Sequence, residues 1–382
     1  MLVYYVLLTV SIAVGIPFCR KYNGEQNKRL VKMYLTLMFL AFFAVAAIRK
    51  SVGYDYNLYA SWYNRIPFMS MEQLMSWSRE KGFAIPLRIL TLITHDFQPM
   101  FVIISLIIAV GIAVYIYKNS KSAYISVAVF ICFGLYYNSM NFMRQMIAAI
   151  IISFALNYIN SKQPLRYLVL VLFASCFHFS ALLMLPMYFI LRIKMNYVVL
   201  GIYTAVSAAS FIFSEHVIGF ATRYFYTAYD FDNRHMTTGI PIIYPVIFGI
   251  VFVLFFVFRK DLIKKRSLNS ILINTYFFAV YFEFIGIKHS VISRFALLFL
   301  IAPLLALVPD LIQVVTEKIR CRFAREDNSN RGKPRVYAVI AITAFCIYGL
   351  AVHAILLHNN YNGVVPYRTI YHQSNIASGD LV

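Results

Sequence analysis

Four separated stretches carry the side chains whose types could do chemistry. In RKSVGYDYNLYASWYNRI, residues 49–66, Asp55 stands between Tyr54 and Tyr56, with Tyr59, Trp62 and Tyr63 beyond it. Gly53 permits a tight turn just ahead. Such a loop reads as an interfacial aromatic belt with an exposed carboxylate. It reads equally as rings and a carboxylate that stack on, and hydrogen-bond to, sugars. In NSMNFMRQMIAA, residues 138–149, Arg144 and Gln145 stand at the edge of an apolar run. A helix starting near Asn141 would put Asn141 and Arg144 on one face. An arginine there either snorkels to phospholipid headgroups or offers a bidentate fork to a phosphate or diphosphate. His178, in CFHFSALLMLP, lies midway along an apolar stretch. In a core it is a satisfied structural residue; at a hairpin tip it gains water and an acid/base role, because its ordinary pKa is near neutrality. Arg294, in KHSVISRF, opens another helix.

Other polar groups are sparse. Fifteen acidic residues are present, and Glu283 is the clearest one near membrane depth, with Lys288 and His289 just beyond. It reads as a structural ion-pair partner. Proton-coupled carriers need ionisable residues along a midplane path, and this scarcity weighs against one. Residues 214–240 hold Arg223 and Arg234 beside Tyr224, Tyr226, Tyr229, Asp230 and Asp232, and the tail holds Tyr361, Pro366, Tyr367 and Arg368. Several cations beside many aromatics suit a ligand with an anionic part and a sugar part. The five cysteines have neither metal-ligand nor redox spacing. No P-loop and no Ser-His-Asp order stands out, so neither a metal nor a cofactor is expected.

The elements that must position these groups are membrane helices. The 382-residue chain is 61% hydrophobic, 17% aromatic and 13% charged, where a soluble domain carries roughly 25% charged residues. Candidate spans are residues 2–18, 31–48, 98–117, 122–138, 143–160, 197–213, 241–258, 268–287, 293–309 and 336–357. The expected fold is all-α and polytopic, a single transmembrane domain over 1–382 with about 10–12 membrane helices. The first apolar run has no basic segment before it and reads as a retained helix. Two stretches fit poorly. Residues 82–97 make a helix too short and polar to cross. Residues 165–192 would make a helix of ~42 Å, and read as a re-entrant hairpin turning near Cys176-Phe177-His178. The competing topology has both stretches cross once.

The net charge of +20 gathers in short loops: Arg20–Lys32, Arg259–Arg266 and Lys318–Arg335. Such clusters set orientation and face anionic phospholipid, which argues against nucleic acid. Placed in the cytoplasm, they put the N-terminus outside. Loops 49–97 and 214–240 and the tail 358–382 then share the outer face, where a site is expected.

At these residues the chain resembles the Wzy/EpsG-type family of bacterial surface-polysaccharide polymerases. Gly53-Tyr54-Asp55 with Tyr59, Asn141 with Arg144-Gln145, His178-Phe179-Ser180-Ala181 and Pro366-Tyr367-Arg368 match in order, and Arg294 fits a basic position near the penultimate helix. Tyr54 departs from the small hydroxylated residue more usual between the glycine and the aspartate. The resemblance implies a GT-C-like membrane glycosyltransferase in the bacterial inner membrane, with its active face periplasmic. It would join polyprenyl-diphosphate-linked oligosaccharides, transferring a growing glycan to a single lipid-linked repeat unit, with a chain-length regulator as a further partner. It implies diphosphate stabilisation by Arg144 and Arg294, a base in Asp55 or His178, and substrate contacts from Asn141, Gln145, Tyr54, Tyr59, Arg223, Tyr367 and Arg368. A flippase would instead spread polar residues through the membrane depth in pseudo-symmetric halves, and neither feature is present in the sequence. A polysaccharide ligase would share the face and differ in acceptor.

Overall fold

A computed structural model describes residues 1–19, 21–22, 25–78, 80–216, 239–326 and 333–371. Among these the architecture is helical; the strands are one two-residue pair, Lys21–Tyr22 with Glu25–Gln26. Four helices are long and apolar enough to cross a bilayer: Lys28–Ala47, Gln98–Asn119, Leu268–Gly286 and the continuous run Ser290–Ile319. Leu2–Phe18, Pro164–Ser175, Tyr197–Ile212, Ile243–Val257 and Ile342–His358 are shorter apolar helices. The protein is an all-α, multi-pass membrane protein.

Packing follows hydrophobicity. Every residue from Leu297 to Val308 is buried. A helix apolar on all sides belongs in the centre, and this one packs against Met143–Asn160 and Leu268–Gly286. The outer helices turn large apolar residues outward instead, among them Leu2, Leu37, Leu40 and Val110. In water such a surface would drive association; against lipid it is the matching solvent.

Two expected spans differ in detail. Residues 122–138 form no single helix. Ala123–Cys132 and Leu135–Asn141 meet at a 58° bend, and Gly134 takes a positive φ at the break. The expected span 293–309 is part of the longer run Ser290–Ile319, which carries a π turn at Pro303–Leu307. Residues 165–192 do double back. The helix Pro164–Ser175 ends, the chain turns through Cys176–His178, and the 3-10 segment Phe179–Met184 packs against the same helix. The Tyr167 hydroxyl donates to the Met184 carbonyl at 2.6 Å, closing the hairpin. Residues 81–91 form the short helix Lys81–Thr91. Glu283 is buried but makes no ion pair among the described residues, against the structural pairing expected of it. Arg223 and Arg234, with most of loop 214–240 and the tail beyond 371, lie outside the described residues.

Candidate active site

The site forms where the ends of several helices meet. Asp55 directly precedes the helix Tyr56–Arg65. Its loop passes so close to Leu135–Asn141 that a Cβ at Gly53 would lie 3.0 Å from the Met140 carbonyl oxygen, and Gly53 has φ +96°. Only glycine combines that conformation with that approach. The Gly53 N–H donates to the Gly363 carbonyl at 2.9 Å. A relay of buried amides then holds Asp55. Its N–H donates to Asn141 Oδ1 (2.9 Å), Asn141 Nδ2 donates to Asn362 Oδ1 (3.1 Å), and Asn362 Nδ2 donates to Asn138 Oδ1 (2.6 Å). Buried polar groups must be satisfied, and a fully satisfied network fixes one geometry.

Asn141 is therefore a positioning residue. It does not share a helical face with Arg144, because the chain leaves helical geometry at Phe142 (φ −90°, ψ 54°) and a new helix starts at Met143. That break points Asn141 at the Asp55 loop and Arg144 elsewhere.

Arg144 bonds through Nη1 to Glu80 Oε2. Its guanidinium carbon lies 4.5 Å from the Trp62 ring centre, with the Phe83 and Tyr59 rings at 5.6 and 5.8 Å. Its Nε is buried without a hydrogen-bond partner among the described residues. Neither a headgroup-snorkelling arginine nor an open two-pronged fork describes this: Glu80 already occupies one prong. Glu80 Oε1 accepts the Phe179 N–H at 3.1 Å. Glu80 sits there because Lys81–Thr91 docks on the hairpin turn. The Gly82 N–H donates to the Cys176 carbonyl at 2.8 Å, and any side chain at Gly82 would meet Cys176 at 3.0 Å. Burial pushes the Glu80 carboxyl up from its ordinary range, while the Arg144 charge pulls the other way.

Arg294 approaches from the opposite wall. Gln145 Nε2 donates to its backbone carbonyl at 2.6 Å, so Gln145 orients a cation here. The Arg294 guanidinium lies 5.1 Å from the Phe142 ring centre and has no ion pair among the described residues.

His178 departs from the expectation of a base poised near neutrality. Burial first, then the Arg144 and Arg294 charges, lower its pKa to about 3. Its Nδ1 accepts the Ser180 N–H at 3.3 Å and lies 2.7 Å from the Ser180 hydroxyl. The neutral ring caps the 3-10 segment and, with Nδ1 accepting, carries its proton on Nε2.

Asp55, Tyr59, Arg144, Gln145, His178 and Arg294 line one cavity of ≈ 70 Å³, completed by Phe142, Val291 and Phe295. Six residues drawn from four distant stretches thus line one cavity. Tyr54, Tyr367 and Arg368 do not line it. Tyr54 is exposed and its hydroxyl donates to the Asn360 carbonyl at 3.2 Å. Tyr367 donates to the Val45 carbonyl at 2.7 Å. The Arg368 carbonyl accepts the Lys50 N–H at 3.0 Å, and the Ile370 N–H donates to the Ile48 carbonyl at 2.9 Å. The tail thus braces the entrance to the Asp55 loop from outside. Chemically, the cavity offers two guanidiniums and a carboxylate around a space suited to a compact anion beside a base.

Residues 32–369 match the EpsG family. The chain belongs to the EpsG family. That match spans every residue of the cavity and the tail as far as Thr369. No curated protein and no solved structure matches the chain. For this EpsG member, membership supports a role in polysaccharide biosynthesis of the polymerase type.

Two contributors to the EpsG site escape a reading by sequence motif. Glu80 and Asn362 face Arg144 and Asn141 from 64 and 221 residues away. Rarity was the available signal for Glu80: it is one of 15 acidic residues in the whole chain and lies in the polar segment 49–97.

Proposed function

We propose that this EpsG protein polymerises a bacterial surface polysaccharide at the outer face of the inner membrane, moving a growing glycan from polyprenyl diphosphate to a lipid-linked repeat unit. The observation that carries this reading is the convergence of Asp55, Arg144 and Arg294 on one small cavity.

The chemistry follows from charge. A hydroxyl oxygen of the acceptor unit attacks the anomeric carbon of the donor glycan. The bond from that carbon to the diphosphate oxygen breaks, and its electron pair leaves on polyprenyl diphosphate. The hydroxyl proton passes to the Asp55 carboxylate. Negative charge grows on the leaving diphosphate, and preplaced guanidiniums stabilise it more in the transition state than before. Arg294 supplies unneutralised charge; Arg144, held by Glu80 and three rings, supplies a fixed donor. His178, neutral, donates from Nε2 and is not the base.

Deletion in the native host followed by a gel of surface polysaccharide tests the reading. Loss of a polymerase leaves chains one repeat long, and loss of a flippase leaves none. Purified protein in nanodiscs, given lipid-linked repeat units alone, is expected to build a ladder and release polyprenyl diphosphate. A requirement for a different, non-repeat acceptor would mark a ligase and overturn the proposal.

A further inference from the structure

The helix Tyr56–Arg65 presents two different faces. At about 100° per residue, Asp55, Tyr59 and Trp62 fall on one side, toward Arg144. Asn57, Ser61 and Asn64, spaced i, i+4 and i+7, fall on the other. That second side borders a separate cleft of ≈ 760 Å³, roughly ten times the volume of the small cavity, with Lys50, Arg65, Phe68 and Asp96 on its walls. Its volume lies within the roughly 300–1,000 Å³ usual for ligand sites.

The lining is chemically specific. The side chains of Asn57, Ser61 and Asn64 make no hydrogen bond among the described residues, and two of the three are exposed. Phe68 is 89% exposed at the rim. Hydrocarbon would leave the amides and hydroxyl unmatched. Sugars match them: hydroxyls exchange hydrogen bonds with amides, and a pyranose face lies on an aromatic ring. Tyr56, in the cleft floor, is held by Gln98 Oε1 at 3.3 Å and stacks on Phe101 with centroids 4.3 Å apart, so the wall is rigid.

We propose that this cleft is a glycan-binding subsite that holds the distal repeats of the growing polysaccharide, one helix away from the reacting sugar. The proposal rests on the polymerase reading. It makes the cleft a determinant of chain length, because each added repeat gains contacts there that keep the chain engaged for the next transfer.

Three proteins separate the outcomes in nanodiscs supplied with lipid-linked repeat units: wild type, the double variant Asn57→Ala/Asn64→Ala, and Ser61→Trp, which fills the cleft. The expected result is unchanged joining of the first two units and a product distribution shifted to shorter chains in both variants. Arg294→Ala is expected to slow the joining of every unit, the first included, by about 10²–10³-fold. In a parallel titration, repeat-unit oligosaccharides of graded length, cut from the host polysaccharide and free of lipid, bind wild type more tightly as length grows. The double variant binds the longest of them roughly tenfold more weakly, the effect of losing two amide hydrogen bonds. Wild-type chain lengths in the double variant overturn the cleft proposal while leaving the polymerase reading intact. Shortened chains in cells with unchanged glycan binding in the purified protein also overturn it, and mark the cleft as a protein-docking surface. No ladder from wild type sinks the polymerase reading instead.

Discussion

The two walls of the small cavity hold their cations in opposite ways. On one wall Arg144 is pinned by a carboxylate and surrounded by Tyr59, Trp62 and Phe83. On the other, Arg294 is fixed through its backbone by Gln145, and its guanidinium carries no ion pair among the described residues. A guanidinium already neutralised by a carboxylate offers geometry but little net charge. An unneutralised one offers charge with freedom to follow it. The pair leaves the cavity with one compensated cation and one without an ion pair among the described residues, rather than two adjacent uncompensated ones.

That difference can be broken experimentally. The largest effect is expected at Arg294. Arg294→Ala should lower turnover of lipid-linked repeats by about 10²–10³-fold, the usual loss for one transition-state donor, and Arg294→Lys should recover part of it because net charge is what this residue supplies. Arg144→Lys should lose about 10–100-fold and recover little, since an ammonium cannot bond Glu80 and stack on Trp62 as a planar fork does. Steady-state rates in nanodiscs check both, and equal rescue by lysine at the two positions would erase the distinction between the walls.

Smaller effects sharpen the comparison. Glu80→Gln keeps an acceptor for the Phe179 N–H but releases the Arg144 charge, so activity should fall severalfold while the thermal midpoint drops less than in Glu80→Ala. Comparing the two midpoints measures how much of Glu80 is brace and how much is counter-ion. Least affected should be the pH–rate profile on replacing His178. With a pKa of about 3 its ring is neutral throughout the working range, so His178→Gln should remove no acidic limb near neutrality. Its stability effect has a definite sign. The unfolded imidazole takes up a proton below about 6.5, the folded one only near 3, so His178 costs stability as pH falls through that window, and the glutamine variant should be less acid-sensitive. A neutral-range limb that disappears in His178→Gln would restore histidine as the base.

Much of this molecule is legible in its apolar runs, because each must match the bilayer and the centre must be apolar all round. The breaks are less legible. A 58° bend at Gly134 and a loss of helical geometry at Phe142 lie inside stretches that read as helix, since tertiary packing rather than local propensity puts them there. The site followed the same rule. Asp55, Arg144, Gln145 and Arg294 stand out by type, because each sits at the polar end of an apolar segment. Their partners do not stand out. Glu80 acquires its meaning from a guanidinium 64 residues away, and Asn362 from a side chain 221 residues away. The conspicuous Tyr367 and Arg368 turn out to brace backbone, whereas the plainer Asn362-Gly363 just before them clamp the Asp55 loop.

That clamp joins the Asp55 loop to a turn more than 300 residues later, Gly53 to Gly363. A ribosome inserting this protein releases its helices in order, yet the amides that seat Asp55 come late. A translation product that stops before Asn362, however well inserted, lacks the latch. The seating of Asp55 thereby waits until the chain has been made at least as far as Gly363.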